Sequence, residues 1–170
     1  MIMSRSFPEN SAINPQIEKI LLGFSQVKDE IDSQGDNSGL HSNKVLELLR
    51  PHLLNAGMQV EAGKKKDQRI RIPVLLGLNN EEEKYFEPDA ISEDGKIILE
   101  VEAGRAIDNN QFIMDIFKAC MIEGVEYLVI AVRKSYRHHD DFAKVCVYLR
   151  TLYASKRIKL PLNGVTIIGY

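Results

Sequence analysis

The chain has 170 residues, of which 44% are hydrophobic and 27% are charged, and its formal net charge at pH 7 is −2. This length and composition suit one soluble domain with a sizeable core, and no stretch approaches the roughly 18 consecutive apolar residues of a membrane span. The first ten residues lack the apolar segment of a secretory signal, so we expect a cytoplasmic protein.

Apolar residues at helical spacing predict two helices in the first third of the chain. The first covers 14–32, with Asn14 as N-cap and Pro15 at the first helical position. A polar loop over 34–39 separates it from a second helix at 43–56, in which Pro51 predicts a kink or a break. We therefore predict an N-terminal helical extension at 1–33 and a main domain at 34–170, which together form a single unit.

Strands dominate the next segment. A short strand is predicted at 58–61 and another at 69–76, where Pro73 favours a sheet edge or a bulge. The acidic stretch 77–84 is predicted to be a loop. Asp94-Gly95 is a strong two-residue turn signal, and it predicts a β-hairpin over about 85–102.

Helices and strands alternate in the remainder of the chain. A helix is predicted at 108–123 with Asp108 as N-cap, followed by a buried strand at 127–132. A helix at 140–155 and a strand at 165–168 complete the pattern, and His138 to Asp141 is interpreted as a loop and N-cap. The helix between the strands at 85–102 and 127–132 implies a right-handed crossover with parallel strands, and therefore a mixed sheet.

The strongest chemical signal lies in the predicted hairpin. Side chains alternate faces along a strand, so Glu100 and Glu102 share one face. Two like charges about 4 Å apart repel by roughly 4 kcal/mol at an effective dielectric near 20. Asp89, near the start of the hairpin, can fold back beside Glu100. Three converging carboxylates form a site suited to Mg²⁺, although a solvated strand edge would show the same pattern.

Pro88-Asp89, the hairpin and Glu100-Val101-Glu102 together resemble the signature of the PD-(D/E)xK nuclease superfamily. The resemblance covers about residues 43 to 170, and the predicted element order matches the αβββαβ core of that superfamily. It implies a restriction-endonuclease-like α/β fold, with a mixed central sheet flanked by helices and an added N-terminal helix. The sequence departs from the pattern at Glu102, where most members have lysine and a minority of restriction endonucleases have glutamate.

The resemblance implies catalytic roles for Asp89, Glu100 and Glu102. Mg²⁺, or Mn²⁺ in its place, would be held by Asp89, Glu100 and the main-chain carbonyl of Val101. Glu102 would accept a proton or bind a second metal ion, but it cannot stabilise negative charge as lysine does. Glu47, on the helix before the sheet, is a fourth candidate acid, and a solvent-facing role is the alternative for it.

The charge distribution offsets the objection that a net negative charge raises against DNA binding. Residues 81–102 hold nine acids and two lysines, whereas residues 133–160 hold eight lysines and arginines and two acids. A second basic run covers 64–71. An acidic focus beside basic flanks suits a metal-dependent enzyme that acts on a polyanion. Contacts to DNA are expected from five residues, each of which has a solvated surface role as its alternative: Arg105, Lys118, Arg133, Lys134 and Arg137.

The sequence thus predicts a Mg²⁺-dependent DNA endonuclease, with restriction as one candidate role. DNA is the expected partner, and a homodimer is one candidate assembly. The main alternative is a non-catalytic DNA-binding or protein-interaction module that retains the nuclease fold, in which Glu102 marks a decayed site. A third interpretation treats the acids as a structural cation site or a salt-bridge cluster in a protein unrelated to nucleic acid.

Overall fold

A six-stranded sheet with helices on both faces forms the centre of the molecule. The computed structural model describes residues 1–34, 39–63, 65–104, 106–107, 109–136 and 139–170. Its strands are β1 (Met3–Phe7), β2 (Met58–Val60), β3 (Ile72–Leu76), β4 (Glu82–Phe86), β5 (Ala90–Ser92), β6 (Ile97–Glu102), β7 (Tyr127–Val132) and β8 (Gly164–Gly169). Its α-helices are α1 (Pro15–Gln26), α2 (Lys28–Ile31), α3 (Ser42–Asn55), α4 (Gln111–Met121) and α5 (Asp141–Ser155).

The sheet is mixed, as the sequence predicts. Its strand order is β1-β8-β7-β6-β5-β2. β6, β7 and β8 are parallel to one another, whereas β1, β2 and β5 pair with their neighbours in the antiparallel sense. The α/β class, the mixed sheet and the parallel pairing of β6 with β7 are therefore confirmed.

Two apolar clusters lie on opposite faces of the sheet. α1 and α3 cover the face that carries Ile97, Leu99 and Val101, and α4 and α5 cover the face that carries Ile98. β7 is almost completely buried, because both clusters pack against this central strand. Its nearly continuous apolar run predicts this position.

The N-terminal segment contributes a strand as well as helices. β1 pairs with β8 at the edge of the central sheet, with Met3 opposite Gly169. Sequence analysis missed this strand because five residues with a single buried side chain carry little periodic signal. The predicted helix 14–32 is divided at Val27 into α1 and α2, whereas α3 continues through Pro51.

The predicted acidic loop at 77–84 is partly wrong. Residues 82–86 form β4, which pairs with β3 in a separate two-stranded sheet. Ion pairs support this charged strand and the residue after it: Arg71 pairs with Glu82, and Arg69 Nη1 lies 2.6 Å from Glu87 Oε2. Such cross-strand charge pairs are not visible in a linear sequence.

Two helix N-caps were predicted in the second half of the chain. Asp140 accepts a hydrogen bond from the Ala143 amide at 2.8 Å and caps α5 as predicted. Asp108 lies outside the described residues, and α4 begins after Asn110, which has positive φ. None of the helices in the described ranges is long and apolar enough to cross a membrane.

Candidate active site

The hairpin of β5 and β6 sets the position of the acidic residues. Its turn is closed by the Gly95 amide, which donates to the Ser92 carbonyl at 2.8 Å, and Gly95 has a φ of 75°. Ser92 Oγ accepts from the amides of Lys96 and Ile97 at 3.0 and 2.9 Å. Ala90 then pairs with Leu99 and Ile91 with Ile98. One residue further along this register, Asp89 stands opposite Glu100.

Glu100 and Glu102 lie on the α4 side of β6. Ile97, Leu99 and Val101 belong to the cluster on the other face, so strand alternation directs the two glutamates toward α4, as predicted. Asp89 is fixed beside them, because its Oδ2 accepts a hydrogen bond from the Val101 amide at 2.7 Å. Val101 thus enters the site through its N–H, and the ligand role of its carbonyl stays a prediction.

A fourth acid, Asp115 on α4, joins these three, and sequence analysis missed it. It is only 1% exposed. Its Oδ1 accepts from Lys118 Nζ at 2.8 Å and from Gln111 Nε2 at 3.2 Å. Its Oδ2 is buried and has no hydrogen-bond partner within the described part of the chain.

Asp115 does have a signal in the sequence. The buried residues of α4 are Phe112, Asp115, Ile116 and Ala119. This is the i, i+3, i+4, i+7 spacing of an apolar helix face. An acid in that stripe must be buried, and a buried acid requires a partner.

The cluster raises the pKa of its carboxyl groups. Burial, together with the nearby Asp115, raises the pKa of Glu102 to about 8. Burial raises the pKa of Asp89 to about 7, even though the Val101 amide opposes the shift. Burial and the charge of Asp89 raise the pKa of Glu100 well above its ordinary value. Nearby negative charges thus add to burial in disfavouring ionisation of these three groups: the charge of Asp115 acts on all of them, and that of Glu61 acts on Asp89.

Lys118 provides positive charge within this cluster. Its ammonium lowers the pKa of Asp89, Glu100 and Glu102. Burial lowers the pKa of Lys118 itself, but the hydrogen bond with Asp115 and the surrounding negative charges outweigh burial and raise it. The site therefore combines four carboxyl groups with one close ammonium.

The donor chemistry of the cluster fits a hard divalent cation. Carboxylate oxygens are the ligands that Mg²⁺ prefers, and Asp115 Oδ2 has no other protein partner in the described ranges. The side chains are not gathered around one point, however. Among the described residues, no three Asp, Glu, His or Cys side chains form a ready metal-binding group. Ligation would therefore require rotation of the carboxylates.

A polar cleft of about 380 Å³ opens beside the acids. It lies where β6 ends and where α3 and α4 begin, and it contains Glu102. The residues that line it are His41, Ser42, Asn43, Glu102, Ala103, Asn109 and Gln111. A larger hollow of about 560 Å³ lies between Phe7–Asn10 and α5, and its lining includes Glu9 but none of the four clustered acids. The smaller cleft is therefore the candidate substrate entrance.

The chain's last residue supports the end of β6. Tyr170 is 1% exposed, and its hydroxyl donates to the main-chain carbonyl of Glu102 at 3.1 Å. The Tyr170 amide donates to the Val132 carbonyl at 3.1 Å. These contacts hold the backbone of Glu102 at the mouth of the cleft.

The structure does not bring Glu47 into the cluster. Its side chain is 65% exposed, and its Oε1 lies 3.1 Å from Lys44 Nζ. α3 packs on the face of the sheet opposite Glu100. The solvent-facing alternative for Glu47 is therefore the one observed.

Arg133 and Lys134 are buried, contrary to the predicted DNA contacts. Arg133 donates to the Leu40 carbonyl and lies over the Tyr136 ring. Lys134 Nζ donates to the Met1 carbonyl at 2.9 Å and lies 3.3 Å from Asp32 Oδ1. These groups connect the N-terminal part of the chain to the sheet. Arg105 and Arg137, also predicted to contact DNA, lie outside the described residues.

The later basic residues lie far from the acids. Lys156, Arg157 and Lys159 are exposed and precede β8. Because β8 is parallel to β6, they lie at the end of the sheet opposite Glu102. The basic loop after β2 is better placed, since the Glu61 amide donates to the Asp89 carbonyl at 2.9 Å and Lys65 and Lys66 are exposed.

No protein-family model matches this chain, and no curated protein matches it at a significant level. Membership of the PD-(D/E)xK superfamily therefore stays a prediction that rests on the motif and the order of elements.

Proposed function

We propose that the chain is a metal-dependent endonuclease that hydrolyses phosphodiester bonds in DNA. The observation that carries the proposal is the convergence of two buried acids, Glu100 and Asp115, with three half-buried groups at the carboxyl end of β6: Asp89, Glu102 and Lys118. Strongly shifted pKa values in a cleft are typical of functional sites, and the carboxyl ends of parallel strands are where open α/β sheets bind ligands. The raised pKa values of Asp89 and Glu102 fit this description.

The topology supports a restriction-endonuclease-like fold. The elements α3, β2, β5, β6, α4 and β7 follow one another in the αβββαβ order, with β3 and β4 as an inserted pair. β2, β5 and β6 are successively antiparallel, and α4 then crosses to the parallel strand β7. In this arrangement the hairpin acids and α4 share one face of the sheet.

The residues of the site have distinct roles in the proposed hydrolysis. Asp89 and Glu100 would hold the divalent cation, which polarises the scissile phosphate and acidifies a water molecule when bound. Glu102, at the cleft, has a pKa of about 8, and a bound cation would favour its ionised form. The ionised carboxylate would then accept a proton from the attacking water as the water oxygen bonds to phosphorus. The bond between phosphorus and the leaving ester oxygen breaks, and that oxygen takes a proton from solvent. The hairpin register keeps Asp89 and Glu100 together throughout.

The position of the basic loop supports DNA as substrate. The loop leaves β2 beside Asp89 and exposes Lys65 and Lys66. Exposed lysines beside an acidic, metal-binding cleft attract a phosphate backbone without reading its sequence. We propose restriction, which requires recognition of a specific DNA sequence, as one role of this nuclease.

Cleavage of supercoiled plasmid DNA tests the proposal. We expect nicking or linearisation by the purified chain with Mg²⁺ or Mn²⁺, and none with EDTA. Asp89→Asn should abolish cleavage. Glu93→Gln is the matched control, because Glu93 is an exposed acid in the same hairpin, and it should cleave as wild type does. If the wild-type chain leaves plasmid DNA intact across a titration of both metals, the proposed nuclease activity is refuted.

A non-catalytic DNA-binding module is the second candidate. It is favoured by the fact that protein groups already engage part of the acid cluster: Asp89 Oδ2 by the Val101 amide, and Asp115 Oδ1 by two donors. This candidate predicts that the chain binds DNA, as measured by fluorescence anisotropy, equally well with and without Mg²⁺ and cleaves under neither condition.

A further inference from the structure

Lys118 occupies an unusual position for a lysine on a helix surface. Its side chain is 26% exposed and its Nζ lies 2.8 Å from Asp115 Oδ1. Its charge acts on Asp89, Glu100 and Glu102, which belong to the β5–β6 hairpin and not to its own helix. The ammonium therefore lies within the field of the whole acid cluster while retaining some access to solvent.

An isolated structural ion pair does not account for these contacts. Lys118 contacts Oδ1 of the buried Asp115 carboxylate, and Asp115 also interacts with the Glu102 carboxyl group, an interaction that helps to raise the Glu102 pKa. Gln111, which lines the cleft, donates to the same Oδ1 that Lys118 contacts. The Asp115–Lys118 pair is thus connected to the cleft through Gln111.

In phosphoryl transfer, a positive side chain at this place would add to the charge stabilisation that a bound divalent cation supplies. Negative charge is spread over the phosphoryl oxygens in the transition state, and a carboxylate at position 102 cannot stabilise it. An ammonium already held among the acids, and partly open to solvent, can do so without a large rearrangement.

We propose that Lys118, positioned by Asp115, contacts the scissile phosphate and supplies from α4 the positive charge that β6 lacks at position 102. Lys118 is then a catalytic residue, and Asp115 is a positioning residue that acts through it. This inference rests on the proposed nuclease function and adds to it the origin of its cationic group.

The first test measures cleavage and metal binding in the same variants. Lys118→Gln should lower kcat on plasmid DNA by about 10²- to 10³-fold, the usual loss for one preorganised charge-stabilising donor. Its affinity for Mn²⁺ without DNA, measured by titration calorimetry, should stay equal or rise, because a positive charge has left the site. Lys96→Gln is the matched control: it removes a lysine paired with Glu126 at 2.8 Å at the other end of β6, and both quantities should stay at wild-type values.

A double-mutant cycle tests whether Asp115 positions Lys118 for catalysis or only stabilises the fold. Asp115→Asn should lower kcat in the wild-type background and have little further effect in Lys118→Gln, because the two residues act as one unit. Lys118→Arg, which keeps the charge and the pairing, should melt near wild type and cleave faster than Lys118→Gln. It keeps the test valid if the glutamine variant folds poorly.

The outcomes distinguish this inference from the proposed function. Wild-type cleavage together with undiminished cleavage by Lys118→Gln would overturn the role of Lys118 and leave the nuclease intact. Additive losses in the cycle, or a fall in Mn²⁺ affinity in Lys118→Gln, would also overturn it by indicating a structural role. If the wild-type chain neither cleaves DNA nor binds Mn²⁺, the proposed nuclease function itself is overturned.

Discussion

The ionisation of Asp89 is subject to two opposing effects in this site. The Val101 amide stabilises its ionised form, but burial outweighs that hydrogen bond and raises its pKa to about 7. At neutral pH the carboxyl group is thus divided between two protonation states. A bound cation would favour the ionised one.

Replacing Asp89 by asparagine separates the effect of its hydrogen bond from the effect of its charge. The amide oxygen can still accept from Val101, whereas the charge and its repulsion from Glu100 disappear. We expect Asp89→Asn to fold normally and, without metal at about pH 8, to melt at or above the wild-type temperature. Thermal melts in EDTA measure this. A large loss of stability would show that the Asp89 charge itself holds the fold.

Glu102 departs from the superfamily pattern, and substitution of this residue tests whether it takes part in catalysis. Glu102→Ala should remove most activity, by about 10²- to 10⁴-fold if it accepts the proton of the attacking water. Glu102→Lys should also lower activity, since a positive charge beside Asp89 and Glu100 weakens their hold on a cation. Plasmid cleavage across a Mg²⁺ and Mn²⁺ titration compares the three proteins. Equal rates would show that Glu102 has no role, and a gain in Glu102→Lys over an inactive wild type would indicate a decayed site.

At the scale of the secondary structure elements, the turn of the β5–β6 hairpin is held by the hydroxyl of Ser92. Ser92 is 2% exposed. Its Oγ accepts two main-chain hydrogen bonds, and it also lies 2.6 Å from Asp94 Oδ1. Because the turn sets the pairing of the two strands, Ser92 also sets the position of Asp89 relative to Glu100.

Ser92→Ala should therefore lower both stability and activity. The buried Ile97 amide loses its acceptor, at a cost of about 1–3 kcal/mol for an unsatisfied buried donor. Urea denaturation measures the free energy of unfolding. Ser25→Ala serves as the control, because Ser25 is exposed on α1 and its hydroxyl donates to the Leu21 carbonyl at 3.0 Å. Equal stability in both variants would contradict the role given to the Ser92 hydroxyl.

At the scale of the whole molecule, the acid cluster couples stability to pH. The folded-state pKa values of Asp89 and Glu102 are about 7 and 8, raised from ordinary values of 3.8 and 4.5. Between about pH 4 and 8 the folded state therefore holds more protons than the unfolded state. Stability then falls as pH rises through this range, and the loss is complete above the folded-state values.

The metal-free protein should accordingly be less stable at pH 8.5 than at about pH 5.5. The contribution of Asp89 to this difference is about 2 kcal/mol, because about 1.5 pH units of the range lie below its folded-state pKa, and Asp89→Asn should flatten the pH dependence. Millimolar Mg²⁺ should restore stability at the higher pH and have little effect at the lower one, where protonated acids bind it poorly. Calorimetric melts at the two pH values, with and without Mg²⁺, test this. A Mg²⁺ effect of equal size at both would contradict the assignment of these acids as ligands.

Local sequence patterns alone determined a large part of this protein. The period of two in β6 placed Glu100 and Glu102 on one face, Asp94-Gly95 marked the turn, and the apolar run of β7 indicated a central strand. These features depend on neighbours a few residues apart, where backbone geometry leaves few choices.

Only the tertiary structure decided the composition of the site. It brought Asp115 and Lys118 from α4 onto the hairpin acids, buried Arg133 and Lys134 against the N-terminal segment, and left Glu47 on the opposite side of the sheet. The physical reason is that burial and charge–charge distances depend on how distant elements pack. The sequence could therefore predict acids on one strand, but their raised pKa values and their cationic partner arise only when α4 covers that face.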